Sequence, residues 1–484
     1  MKIAFIMATN EIDVQWSAPL AFGYLKAAAE RACPGRHEFR VLHSADEITR
    51  EKPDLMGISC MSQDFDTARE LAAAARVAGV TFVILGGQHI TAFPETLPPG
   101  VDLGVLREGE VTFVEVLELI ERQERLQPLD LADIKGIVYR DQTGAAVSTS
   151  PRPILPSLDD LPFPDRDFGR LDGQKPYLFS SRGCPYQCNF CASSQYWDNT
   201  RFHGPERVLK EVEEFLNNYP RVKSVGFWDD LFAVNRKRVR AISEAIVQRG
   251  FQKKAAFSTS MRADVVDDEL CTLLTRMNLK RVGIGAESGS DRVLKKLKNP
   301  YSSVEKNQHA LDIMAKHKMQ PGAGFIFGHY DETEEDIHET YRWIMGNYAQ
   351  GKLTQHEVNI LTPMPSTPVW TWAVDNGLLP RENVEWHRLR YLTMNANNLG
   401  GLQEWIRVRR KNRSLYLNEK NVPLNHLYEM IDHYESRIRR GDFGKVKGKR
   451  GAGTAMLVRQ FKKNLQGRVY RGKIKLRGMR NLKG

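Results

Sequence analysis

The chain has 484 residues, 41% hydrophobic and 27% charged, which is enough for two or three domains with cores of their own and excludes wholesale disorder, collagen and coiled coil. Its net charge of +11 is unevenly placed: residues 441–484 carry fourteen Lys/Arg against Asp442 alone, so the body before them is close to neutral. In chain order, apolar runs at 2–7, 38–42, 55–60, 81–85 and 103–106 alternate with helical periodicity at 18–32, 65–78 and 111–125. That rhythm predicts an α/β domain over 1–125, an open parallel Rossmann-like sheet. Ligands of such sheets sit at the carboxyl ends of the strands, here the loops at 8–16, 61–64, 86–91 and 107–110.

Residues 136–140 and 145–148 flank Asp141-Gln142-Thr143-Gly144, a hairpin signal, and five prolines between 151 and 164 mark an extended linker, so 126–175 is expected to connect two domains. From 176 to 375, strands at 178–182, 224–228, 255–260, 281–285, 322–327 and 357–361 are separated by helical stretches at 206–218, 236–249, 267–277, 304–317 and 334–348. Six βα units of this length predict a partial (βα)6 TIM-like barrel with its chemistry at the strand carboxyl ends. A helical region at 376–440 and the basic tail 441–484 complete the chain.

The N-terminal apolar run is too short for a secretory signal, and no segment reaches the roughly 18–20 apolar residues of a membrane span. A cytoplasmic protein is expected. The tail suits an anionic membrane surface, with nucleic acid not expected as a partner and a solvated extension as the alternative.

Of six cysteines, Cys33, Cys60 and Cys271 stand apart and read as isolated buried thiols. Cys184, Cys188 and Cys191 follow a predicted strand with C-x3-C-x2-C spacing, in SSRGCPYQCNFC. Three thiolates from one loop hold three irons of a cubane and leave the fourth open; structural zinc, with His203 as a fourth ligand, is the alternative. Phe190 places a ring beside the last cysteine, where a nucleoside can lie against it.

At these residues the chain resembles the radical S-adenosylmethionine superfamily. FWDDLF at 227–232, STSMRAD at 258–264, GIGAESGS at 283–290 and GFIFGHYDETEED at 324–336 extend the likeness over roughly 178–375. The resemblance implies a 4Fe-4S cluster on the three cysteines and S-adenosylmethionine chelating the open iron. Electron transfer would then give a 5′-deoxyadenosyl radical able to take hydrogen from an unactivated carbon. Asp229, Arg262 and Glu287, with Phe190, are the expected S-adenosylmethionine contacts. Asp230 is an alternative to Asp229, with a helix cap explaining either. Tyr330 and His329 are candidates for the substrate side, a structural hydrogen bond being the reading preferred for His329.

APLAFGYLKAAAE at 18–30, PDLMGISCMSQD at 53–64, VILGGQHITAFPE at 83–95 and LREGEVTF at 106–113 resemble the cobalamin-binding domain found ahead of the barrel in one branch of that superfamily. Ser59, Gly86, Gly87, His89, Gly109 and Glu110 are the expected cobalamin contacts. The Asp-x-His-x-x-Gly motif of cobalamin mutases is absent, so cobalt is expected without a protein imidazole. Jointly the resemblances imply a radical enzyme methylating an unactivated carbon of a small or lipid-like molecule, supplied with electrons by a flavodoxin or ferredoxin. A cobalamin-assisted cyclase or rearrangement enzyme, or a non-enzymatic cobalamin sensor, stands as the alternative.

Overall fold

The computed structural model describes residues 1–9, 20–123, 126–168, 176–219, 221–298, 301–390, 394–395 and 401–443. Residues 10–16 of the expected loop, the end of the linker and nearly all of the basic tail lie outside these residues.

The first sheet runs β2-β1-β3-β4-β5-β6-β7, from strands β1 (Lys2–Ala8), β2 (Glu38–Leu42), β3 (Leu55–Cys60), β4 (Phe82–Gly86), β5 (Leu103–Val105), β6 (Ile137–Arg140) and β7 (Ala146–Ser148). The first five are parallel, and KIAFIMA, LMGISC and FVILG are apolar almost throughout because helices cover both faces. The hairpin expected to open the linker is instead the edge of this sheet: β6 pairs antiparallel with β5, Leu103 opposite Tyr139. Ile137, Val138 and Tyr139 are buried, so the alternation read as a free hairpin is a core-facing pattern.

The second sheet sets six strands side by side, β8 (Tyr177–Leu178), β11 (Ser224–Phe227), β12 (Ala256–Met261), β13 (Leu279–Glu287), β14 (Gln320–Phe327) and β15 (Gln355–Ile360), all parallel, with β16 (Met394–Asn395) antiparallel at the far edge. This is the expected open barrel of six βα units. The strand expected at 178–182 divides: β8 ends at Leu178, and β9 (Ser181–Arg182) leaves to pair antiparallel with β10 (Arg201–Phe202). Phe227, Phe257, Phe325 and Phe327 pack between the second sheet and the helices that cover it, Phe327 stacked on Tyr341 and Phe325 beside Trp343 of helix Glu334–Ala349, and helix Leu424–Arg440 joins the same apolar layer with Leu427 and Ile431. His356 Nε2 lies 2.7 Å from Glu435 Oε1 on that helix, and the Tyr341 hydroxyl donates to the same oxygen at 3.3 Å. No helix among the described residues is long and apolar enough to cross a membrane.

Glu332, just beyond β14, is fully buried, accepts from the Gly328 amide at 2.6 Å through Oε2, and offers Oε1 no partner. Burial pushes its carboxyl up to about 8. A buried acid with a raised pKa stabilises the fold fully below its unfolded value, and that contribution is lost as pH rises towards and through 8. The melting midpoint is therefore expected to fall between pH 7 and pH 9, the loss of about 1 kcal/mol of stability lowering it by about 1–2 °C. Glu332→Gln should flatten that decline in pH-resolved calorimetry.

Candidate active site

The barrel presents its strand ends to one side, and the cysteine loop is tied there by the two acids that follow β11. The Ser180 amide and hydroxyl each donate to Asp229 at 2.5 Å, the Ser181 amide at 3.1 Å, and the Gly183 amide donates to Asp230 at 3.2 Å. Burial raises the Asp229 carboxyl against the pull of Arg238. Asp229, expected to touch S-adenosylmethionine, is instead an anchor of the loop, and this pull on Ser180 and Ser181 is what breaks the predicted strand. Gly183 turns the chain with φ +91°, where a side chain would collide with the Asn199 carbonyl.

Beyond this turn the loop is fastened by its own backbone. The Cys191 amide donates to the Cys188 carbonyl at 3.2 Å, the Asn189 amide to Leu297 at 3.0 Å, and the Val369 amide to Asn189 at 3.2 Å. Cys184, Cys188 and Cys191 are half-buried and free of disulfides. Burial raises all three thiols, Cys184 to about 11, so the site disfavours thiolates unless a bound cation compensates them.

Zinc does not fit. His203 is buried with Nδ1 2.9 Å from Asp159 Oδ1, and the three sulfurs are not gathered within 4.8 Å of one another, whereas tetrahedral Zn–S bonds of about 2.3 Å set edges near 3.8 Å. Three thiols with no fourth protein ligand among the described residues match the donor set of an iron cubane with one open iron.

Charged side chains from two strand ends and the end of a helix surround Cys188. Arg262, after β12, was expected to meet the methionine carboxylate, but its guanidinium is already engaged: Asp264 takes Nε and Nη2 at 2.9 and 3.0 Å, and Ser302 Oγ lies 2.9 Å from Nη2. Its remaining nitrogen, Nη1, donates to Cys188 Sγ at 3.6 Å, and the plane covers the Tyr186 ring at 3.8 Å. Arg262 therefore braces the cysteine loop at two points. Glu287 ends β13 at φ +59°, beside a register shift, and pairs with Lys298 at 2.9 Å. A side chain at Gly285 would run into this folded-back carboxylate. Both charges reach Cys188, Lys298 favouring and Glu287 opposing the thiolate.

Lys298 was missed in the sequence, where LKKLKN offers three lysines and no means of choosing the one that helix Asp291–Lys298 turns inward. Phe190 packs against the apolar cluster containing Leu297, Leu361 and Val369. Tyr330 stacks on Trp372 at 3.7 Å, while His329 is buried and its Nδ1 accepts from the Asp331 amide at 3.2 Å.

The two sheets meet at this loop. Arg182, two residues before Cys184, donates through Nη1 to Glu108 at 2.5 Å and through Nη2 to Glu110 at 2.6 Å, and Arg201 pairs with Glu108 at 2.9 Å. The Tyr196 hydroxyl donates to the Arg107 carbonyl at 2.7 Å, and Arg107 pairs with Asp198. Glu110, expected at cobalamin, is thus a junction residue. A side chain at Gly109 would press on Leu25 and Val105.

His89 is likewise corrected: its ring nitrogens lie 3.0 Å from Ser62 Oγ and Thr96 Oγ1, and the ring is sealed by Phe65 and Trp386 at 3.8 and 4.5 Å. Burial lowers its pKa to about 3. Ser59 and Gly86 stand side by side at the strand ends, Gly87 packs beneath against Cys60, and Gly86 has open space where a Cβ would point. That rim fits a bulky cofactor approaching backbone without an axial imidazole.

Comparison with known proteins agrees with this division. Residues 178–344 match the radical SAM superfamily and residues 37–117 the B12 binding domain. An uncharacterized methyltransferase of Pyrococcus horikoshii is 28% identical over 411 residues, 78% of this chain and 84% of the relative. The anaerobic magnesium-protoporphyrin IX monomethyl ester cyclase of Rubrivivax gelatinosus is 26% identical over 315 residues, 61% of this chain and 55% of the relative. The fold matches that of the radical S-adenosylmethionine methyltransferase TsrM from Kitasatospora setae, solved with cobalamin and a 4Fe-4S cluster bound, with a TM-score of 0.64 at 17% identity over 78% of this chain and 75% of that one.

These domains bring a 4Fe-4S cluster and S-adenosylmethionine to the cysteine loop and cobalamin to the first sheet. With a B12-binding sheet bolted by Arg182 to a three-cysteine barrel, the chain joins a B12 binding domain to a radical SAM domain, the composition of a cobalamin-dependent radical SAM enzyme.

Proposed function

We propose that this enzyme methylates an unactivated carbon of a small or lipid-like molecule. The observation that carries the reading is the junction itself. Arg182 and Tyr196, on either side of the cysteines, are hydrogen-bonded to the 107–110 loop of the B12-binding sheet, so both cofactor regions border one space. When bound, the cluster with S-adenosylmethionine supplies one-electron, hydrogen-abstracting chemistry, and cobalamin supplies a transferable methyl group.

The chain's own residues do the positioning. Cys184, Cys188 and Cys191 would hold the cluster, with Arg262 keeping the Cys188 sulfur in place. The Lys298 ammonium and Glu287 carboxylate, 2.9 Å apart beside Cys188, offer opposite charges to the carboxylate and ammonium of an amino acid group. Ser59, Gly86 and Gly87 would border cobalamin. A flavodoxin or ferredoxin is the proposed electron source. The basic tail suits attachment to an anionic membrane, which would favour a lipid substrate.

The likeness to a cyclase supports a second reading, radical ring closure without methyl transfer. One experiment separates them: anaerobic reconstitution with iron, sulfide and cobalamin, then methyl-labelled S-adenosylmethionine with a cell extract fractionated into lipid, peptide and small-molecule pools. Label is expected in a carbon-bound methyl group of the lipid or small-molecule pool. Substrate turnover with no label incorporated would replace methylation by the cyclase reading.

A further inference from the structure

At the amino-terminal end of the first sheet, opposite the rim of Ser59 and Gly86, three metal-ligating side chains from separate parts of the chain converge. Cys33 lies just beyond helix Leu20–Ala32, His37 just before β2, and Glu121 caps the carboxyl end of helix Glu110–Ile120. Their ligand atoms all lie within 4.8 Å of one another. The sequence had left Cys33 as an isolated thiol.

His37 is the second observation that points to a ligand. It is only 8% exposed, and neither ring nitrogen has a hydrogen-bond partner. Leaving a buried polar group unsatisfied costs about 1–3 kcal/mol, which a bound ion would offset. Its Nε2 lies 3.4 Å from Glu121 Oε1, close to the N···O edge of about 3.3 Å expected of a tetrahedral ion with bonds of about 2.0–2.1 Å. Arg36 Nη1 holds the other carboxylate oxygen at 3.0 Å, so Glu121 is oriented with Oε1 towards the imidazole.

We propose that Cys33, His37 and Glu121 form a zinc(II) site. Thiolate with imidazole selects a borderline ion over magnesium or calcium, and three protein ligands leave the fourth position to water. On binding, the Cys33 thiol releases its proton to solvent and the sulfur bonds to zinc, with no change of oxidation state. The ion would clip the ends of two helices to the start of β2, at the end of the sheet away from the cofactors. The site is independent of the reaction proposed above.

The test uses the full-length chain carrying its iron–sulfur cluster, which occupies the other clustered thiols. After incubation with Zn2+ and anaerobic gel filtration, elemental analysis should find one equivalent of zinc, and Cys33→Ser or His37→Gln should each weaken retention at least about 100-fold, more than an outer-shell change does. In the unmutated chain, Zn2+ but not Mg2+ should slow alkylation of Cys33, followed by peptide mass spectrometry, at least about tenfold. That second measurement stands even if a variant misfolds. No stoichiometric zinc, zinc retained equally by both variants, or Cys33 alkylated at an unchanged rate would overturn the site.

Discussion

Replacing Cys188 with alanine is expected to abolish reductive cleavage of S-adenosylmethionine while the chain stays folded. Cys188 is one of three sulfurs on a loop with no fourth protein ligand, so the variant has two ligands where the cubane needs three. The variant loses the Arg262 contact to that sulfur, but the loop keeps its other fastenings. Asp229 and Asp230 hold its start, the Leu297 carbonyl takes the Asn189 amide, and Asn189 in turn receives the Val369 amide.

Exchange of one half-buried sulfur for hydrogen should cost about 1 kcal/mol of stability. Iron and sulfide content, the spectrum of the reduced cluster and 5′-deoxyadenosine formation under anaerobic reduction should fall together, with far-ultraviolet circular dichroism unchanged. Full cleavage by the alanine variant would remove the cysteine trio from the centre of the mechanism.

The second large effect is expected at the junction. Arg182 is 12% exposed at its side chain, and its partners Glu108 and Glu110 are 12% and 9% exposed. Burial opposes ionisation of Glu110, yet the Arg182 cation brings its pKa below the ordinary carboxylate value. A carboxylate with a lowered pKa contributes stability above its unfolded value that is lost as pH falls through the folded one, so at neutral pH this contribution is fully present.

Arg182→Ala strips Glu110 of that partner and leaves Glu108 with Arg201 alone, and breaking one side of a buried pair costs about 3–5 kcal/mol. Since the pair spans the two sheets, calorimetry should show the barrel and the B12-binding sheet melting at separate temperatures, the first transition well below that of the wild type. Arg182→Lys keeps a charge but not the two-pronged geometry and should recover part of the loss. A single transition at the wild-type temperature would show that the junction does not depend on this side chain.

Cys188 was legible before any coordinates and Arg182 was not. The C-x3-C-x2-C spacing is a local property, contained in eight residues, and its meaning survives whatever the rest of the chain does. Arg182 sits in the same stretch, but its partners are 72 and 74 residues away in another sheet, and nothing in the pattern around Glu108 or Glu110 marks them as paired. The same holds for Asp229, Arg262 and His89. Each was correctly placed at a strand end, and each has its hydrogen-bonding capacity taken by protein groups, a fact about neighbours rather than about position.

What the sequence by itself determined was therefore the succession of parallel strands in both domains, the division between a B12-binding sheet and a six-stranded barrel, and the three-cysteine loop proposed to hold the cluster. All three are written in short-range burial periodicity and spacing. The tertiary structure alone decided that the hairpin at 137–148 joins the first sheet, that Glu110 binds Arg182, that Lys298 faces Glu287 beside Cys188, and that Cys33 meets His37 and Glu121. The physical reason is common to these: a charged or ligating side chain reaches only a few ångströms, so its role follows from which distant segment docks within that reach, and docking is set by the apolar faces of whole elements.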